Sequence, residues 1–182
     1  MNTPKDLEAI IRNRKFVQLF RKLDEFEDKI NGFVLAASND LLLMQTSEEF
    51  NLTGFSVFPV DIVQRISSSK TNRFFRHVLK QEGLLDQVGC NVRVELESFG
   101  RLFKSLKSAK LSVIVECEAP NVDSFSIGTI KSVGVESVSI NYFNAEGFVE
   151  ERSDKIMYKN ITRVTFGDRY NLMFAKYVRP VS

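Results

Sequence analysis

The chain has 182 residues, 43% of them hydrophobic and 26% charged, with a net charge of +2. That much apolar material excludes a disordered polymer, and the near-neutral balance argues against a general polyanion binder. Lys+Arg against Asp+Glu is 12 to 12 over residues 1–88 and 13 to 11 over 89–182, so neither half carries a basic excess.

Thr3-Pro4-Lys5-Asp6 reads as a helix start: a capping hydroxyl, a proline at the first helical position and an acid in the first turn. Leu7, Ile10 and Ile11 then share one face, and Arg12, Arg14 and Lys15 gather where the helix dipole favours cations. Phe16-Val17-Gln18-Leu19-Phe20 follows as a first strand. Residues 7–26 taken alone would read as one amphipathic helix, but comparison with a later segment sets the break near Lys15.

That later segment belongs to a second copy of the same pattern. Gly32-Phe33-Val34-Leu35, Leu41–Met44, Gly54-Phe55, Val63-Gln64-Arg65-Ile66 and Arg73-Phe74 are answered by Gly128-Thr129-Ile130-Lys131, Val138-Ser139-Ile140, Gly147-Phe148, Ile161-Thr162-Arg163-Val164 and Arg169-Tyr170. Such recurrence predicts two copies of one structural unit, of about 90 residues each. The second opens with its own helix, Phe99, Leu102, Phe103 and Leu106 on one face, and a strand over Leu111–Val115. From Gly32 and Gly128 onward, short strands alternate with turn signals such as Ser38-Asn39-Asp40 and Asn144-Ala145-Glu146-Gly147. The expectation is an α+β chain of two tandem helix-plus-barrel units, residues 1–88 and 89–182. Each would be a small antiparallel sheet bent into a partly closed barrel and ended by a short helix. The boundary is placed between Gly83 and Gly89.

Catalytic signatures are sparse. His77 is the sole histidine, which removes histidine-rich metal sites and HExxH chemistry. Cys90 and Cys117 lack CxxC spacing, and the acids beside Cys117 would raise its thiol pKa. No GxGxxG or GxxxxGK[ST] is present, so no nucleotide cofactor is expected. Glu116 with Glu118, and Glu95 with Glu97, alternate along strands. Such pairs can hold a divalent metal or divide acid and base roles, but alternation of this kind more commonly marks a solvent face. Metal-dependent hydrolysis through Glu116 and Glu118 therefore ranks third among the functional readings.

Candidate binding residues are those shared by both copies. Arg65 and Arg163 are placed at the end of the last strand, and Arg73-Phe74 and Arg169-Tyr170 at the start of the closing helix, where Arg76, His77 and Lys80 extend a polar stripe. A guanidinium beside a ring clamps a phosphate or stacks on a base. It also serves as architecture, the ring plugging the barrel end and the Arg pairing with a carboxylate or carbonyl, and that reading is preferred.

The runs Val115–Glu118, Ile127–Ile130, Tyr142–Gly147 and Ile161–Tyr170 give the second half a resemblance to uncharacterised bacterial proteins carrying Sm-like or SH3-like small barrels. It covers most of residues 110–177 and, more weakly, 30–78. The resemblance implies a fold and no activity. Sm-like barrels proper often form rings and bind RNA, but their Arg-Gly pair in the last strands and Asp/Asn turn motif have no counterpart here, so no Sm-type site residue is carried over. The expectation is a cytoplasmic, non-enzymatic interaction module without cofactor or metal, binding a protein partner through exposed loops and strand edges. A nucleic-acid binder using Arg65, Arg73, Arg76, Arg163 and Arg169 is the alternative. No membrane association is expected, and the oligomeric state is left open.

Overall fold

A computed structural model describes residues 4–23 and 26–180. The chain divides into two units, Met1–Asn91 and Val92–Ser182. The first runs α1 (Pro4–Arg12), β1 (Phe16–Leu23), β2 (Phe26–Ala37), β3 (Leu41–Glu48), β4 (Asn51–Pro59), a 3-10 turn at Val60–Ile62, β5 (Val63–Ser67) and α2 (Lys70–Gln81). The second repeats that order as α3 (Phe99–Ser108), β6 (Ser112–Cys117), β7 (Ser124–Val133), β8 (Ser137–Tyr142), β9 (Asp154–Met157), a 3-10 turn at Tyr158–Asn160, β10 (Arg163–Phe166) and α4 (Arg169–Tyr177). Strands lie in the order β5-β1-β2-β3-β4 in one unit and β10-β6-β7-β8-β9 in the other. The pairings described within each unit are antiparallel. The class is α+β as expected, but neither set closes: β4 does not pair with β5, nor β9 with β10.

Thr3 lies outside the described residues; the helix it was expected to cap runs from Pro4, with Asp6 in its first turn and Arg12 in its last. Arg14 ends it by turning left-handed (φ 45°), with the Lys15 N–H reaching back to the Ile10 carbonyl at 3.1 Å. Lys110 does the same after α3 (φ 57°), where the Leu111 N–H donates to the Leu106 carbonyl. A non-glycine residue in that conformation costs about 1–2 kcal/mol. The helix is thereby stopped before the strand, at the place where comparing the copies set the break.

Registers match as well. Val17 faces Gly32 across β1–β2 and Val113 faces Gly128 across β6–β7. Both glycines are sites of close approach: a Cβ on Gly32 would sit 2.1 Å from the Gln45 carbonyl oxygen, and one on Gly128 would sit 1.9 Å from that of Asn141. A bulge follows each, between Val34 and Ala36 and between Ile130 and Ser132. In the turns beyond, the N–H of Ser38 donates to Leu41 and that of Gly134 to Ser137, each at 2.8 Å.

Strand alternation sorts the first unit's apolar residues to two faces. One holds Val17, Leu19, Ile30, Met44, Phe58 and Ile66, covered by Leu7, Ile10 and Ile11 of α1. The other holds Phe16 and Phe33 against Leu79 and Phe75 of α2. In the second unit Leu102, Phe103 and Leu106 of α3 are fully buried, and Phe174 and Val178 close over Ile114, Ile127 and Phe143. Each fully buried side chain of this size stabilises by about 1.5–3 kcal/mol.

The closing helices begin with a side-chain cap, and there the sequence pairing slips. Ser69 caps α2 by accepting the Asn72 N–H, and Asp168 caps α4 by accepting the Asn171 N–H. Counted from these caps the matching residues are Asn72 and Asn171, both buried. Arg73 therefore sits in the second turn of α2 while Arg169 opens α4, so the two arginines are not equivalent. Gly167, left-handed at φ 67°, is the single residue between β10 and the Asp168 cap, as Ser68 is between β5 and Ser69.

Candidate functional site

Arg65 and Arg163 do occupy matching places, though neither ends its strand. Arg65 is mid-β5 opposite Phe20, and Arg163 opens β10 opposite Glu116. Each is engaged locally: the Arg65 guanidinium lies 4.1 Å from the Phe20 ring centroid, and Arg163 Nε approaches Glu116 Oε2 at 3.5 Å. Arg76 Nε donates to the Arg14 carbonyl at 2.9 Å, tying α2 to the residue that ends α1. Arg73 and Arg169 are exposed, as is Phe74, which meets Phe75 edge-on at 6.4 Å.

The candidate carboxylates are likewise engaged, but the expected strand pairs are not formed: Glu95 and Glu97 lie in the irregular segment before α3, and Glu118 just beyond the end of β6. Glu118 Oε2 accepts from Thr162 Oγ1 at 2.5 Å, and Glu95 pairs with Arg93 at 3.1 Å and Arg101 at 3.6 Å. Among the described residues no group of three His, Cys, Asp or Glu is placed to hold a metal ion. Neither Cys90 nor Cys117 is in a disulfide. Burial, more than charge, pushes the Cys117 thiol above its usual pKa; Glu118 and Asp123 add to the rise and a hydrogen bond with Ser124 opposes it. Sequence reasoning had credited the neighbouring acids with the whole effect. His77 is exposed on α2.

One charged group went unremarked in the sequence. Arg21 is 2% exposed and gives Asp28 two hydrogen bonds, from Nε at 3.0 Å and Nη2 at 2.8 Å, with the Phe58 ring 5.5 Å away. Its place on β1, alternating with Val17 and Leu19, was the available signal.

Each unit also has a concave region. The first unit has a cleft of about 600 Å³ between α1 and the sheet, walled by Leu7, Ile11, Leu42, Val63 and Ile66. Its lining includes one carboxylate, Glu8, and no histidine or cysteine, and the hydroxyl of Ser38 in it is engaged in the turn to Leu41. Arg65 borders it, but Phe20 and its partner Arg65 alternate onto the sheet face opposite Leu19 and Ile66.

The second unit presents a different surface. On α4, Tyr170, Met173 and Tyr177 recur at i, i+3 and i+7 and are 53%, 41% and 65% exposed, with Leu172 at 51%. Phe174, beneath them, is 4.8 Å from the Tyr170 ring and belongs to the core. Met173, Phe174 and Tyr177 also wall a hollow of about 360 Å³ whose far side is the turn Ala145-Glu146-Gly147 and Arg179. A helix apolar on its outer as well as its inner face is unusual on a protein surface.

No protein-family model, curated protein or solved structure matches the chain. Among the described residues no helix is long and apolar enough to cross a membrane.

Proposed function

We propose that the chain is a non-enzymatic interaction module of two Sm-like units, in which the outer face of α4 docks a partner protein. The Sm-like reading is supported by the element order of each unit: a helix, four strands, a 3-10 turn, a fifth strand packed beside the first, then a helix. Docking rests on the single observation that Tyr170, Leu172, Met173 and Tyr177 stand in water on one short helix beside a hollow. Isolated apolar residues on a surface need no explanation, whereas a contiguous aromatic and methionine patch is the composition of interface centres. The absence of a disulfide between Cys90 and Cys117 fits a reducing compartment, and the proposal places the protein in the cytoplasm without cofactor or metal.

The test is a pull-down from native lysate with and without nuclease, using the whole chain and a Met173→Ser/Tyr177→Ser variant. A protein that survives nuclease and is lost with the variant supports the reading. Nuclease-sensitive recovery, unaffected by the variant, points instead to the RNA-binding alternative and overturns it.

A further inference from the structure

We propose that the α4 surface is built for an acidic amphipathic helix: a segment whose leucine-like stripe packs on Tyr170, Met173 and Tyr177 and whose flanks carry carboxylates. This rests on the docking role proposed above and names the chemistry of the partner. The stripe supplies the apolar half of the contact, and the hollow bounded by Met173, Tyr177 and Arg179 is large enough to take an apolar side chain.

Charge supplies the other half. Arg169 lies at the start of α4, Lys176 in its last turn and Arg179 just beyond, so cations stand at both ends of the stripe. Lys176 lies 5.1 Å from the Tyr177 ring centroid and Arg179 4.3 Å from that of Phe148. A cation held over a ring face keeps its N–H donors free for an incoming acceptor, and it is already ordered before binding. The cations Arg169, Lys176 and Arg179 outnumber the nearby acids Asp168 and Glu146. Asp168 spends one oxygen capping the Asn171 N–H, and Glu146, on the far side of the hollow, is the sole carboxylate in its lining. A partner with basic flanks would meet like charge at both ends of the helix, while one with acidic flanks would meet opposite charge.

The experiment uses the whole chain and two synthetic helical peptides that share one leucine stripe, flanked by glutamates in one and lysines in the other. Amide shifts are followed by NMR. The glutamate peptide is expected to shift residues 169–179 and 145–147 and to bind about tenfold tighter than the lysine peptide, and Arg169→Glu/Lys176→Glu is expected to reverse that order. Both substituted residues are exposed, and an unchanged spectrum away from α4 shows that the variant is folded. Equal affinity for the two peptides overturns the proposal. So does failure of both to bind, tighter binding of an oligouridine or of anionic vesicles to the same amides, or occupation of the face by a second copy of the chain. These results leave the docking role standing if the nuclease-resistant partner is still lost with Met173→Ser/Tyr177→Ser; loss of that pull-down result removes the docking role itself.

Discussion

Replacing Gly32 by alanine tests whether close strand approach, more than turn flexibility, is what that glycine supplies. The new Cβ would lie 2.1 Å from the Gln45 carbonyl oxygen, against 3.4–4 Å for ordinary contact, so β3 must retreat by about 1 Å or more. That displacement breaks the local ladder, losing two hydrogen bonds worth about 1 kcal/mol each. Forced repacking adds roughly 1–3 kcal/mol. The expected cost is about 3–5 kcal/mol, a large share of the 5–15 kcal/mol that holds a typical domain together. Gly83→Ala is the control: Gly83 is left-handed at φ 71° with nothing within 4 Å, so it should lose only about 1–2 kcal/mol from backbone conformation. Urea denaturation followed by far-UV circular dichroism compares them. Gly128→Ala isolates the close approach, since its Cβ would fall 1.9 Å from the Asn141 carbonyl oxygen at a glycine without positive φ, whereas Gly32, at φ 151°, shares with Gly83 a backbone conformation that strains any side chain. Gly32→Ala and Gly83→Ala agreeing within about 0.5 kcal/mol would refute the reasoning, because experimental scatter alone covers such a gap.

Asp28→Ala should destabilise the first unit by about 3 kcal/mol, at the low end for a broken buried pair because Asp28 is 26% exposed while Arg21 is buried; the denaturation midpoint should fall with its slope unchanged. Ser69→Ala removes the hydroxyl that accepts the Asn72 N–H and donates to Asn72 Oδ1 at 2.8 Å, and should cost about 1 kcal/mol, seen as faster amide exchange in the first turn of α2. Cys117, 1% exposed with a raised thiol pKa, should resist alkylation while the half-buried Cys90 reacts. Because folding raises the Cys117 pKa above 9.0, its contribution is complete below that pH and is lost as pH climbs through the folded value. Thermal melts should therefore weaken above pH 9, and less steeply in Cys117→Val. Tyr158, also raised by burial, leaves part of the decline in the variant.

The elements legible in the sequence were those whose cause is local. The α3 spacing placed Leu102, Phe103 and Leu106 inward, and Ser38-Asn39-Asp40 marked a turn, because helical period and turn chemistry act over a few residues. Helix ends were harder. Arg14 and Lys110 stop their helices in a conformation their residue types do not advertise, so only comparing the copies exposed the break. The Arg73/Arg169 pairing slipped because it followed residue identity, whereas the caps at Ser69 and Asp168 set the true register. Arg21 was missed for a related reason: a charge within a strand reads as solvent-facing until its alternation with Val17 and Leu19 is weighed against the acid Asp28 across the hairpin.

Aligning the closing helices at their caps also separates what the scaffold needs from what the surface has acquired. Asn72 and Asn171 match, as do Phe75 and Phe174, each packed inward: Phe75 stacks on Phe16 at 5.7 Å, and Phe174 joins Ile114 and Phe143. The outward positions diverge. Thr71, Arg73 and His77 of α2 correspond to Tyr170, Leu172 and Lys176 of α4, and half-buried Val78 corresponds to Tyr177, 65% exposed. Stability does not call for this change, because an exposed tyrosine or leucine gains nothing from burial and a polar residue serves the isolated helix equally well. One apolar outer position is shared, since Phe74, 58% exposed, corresponds to Met173, but α4 adds Tyr170, Leu172 and Tyr177 where α2 has Thr71, Arg73 and half-buried Val78. The docking role proposed for α4 would supply a reason for that difference that stability does not.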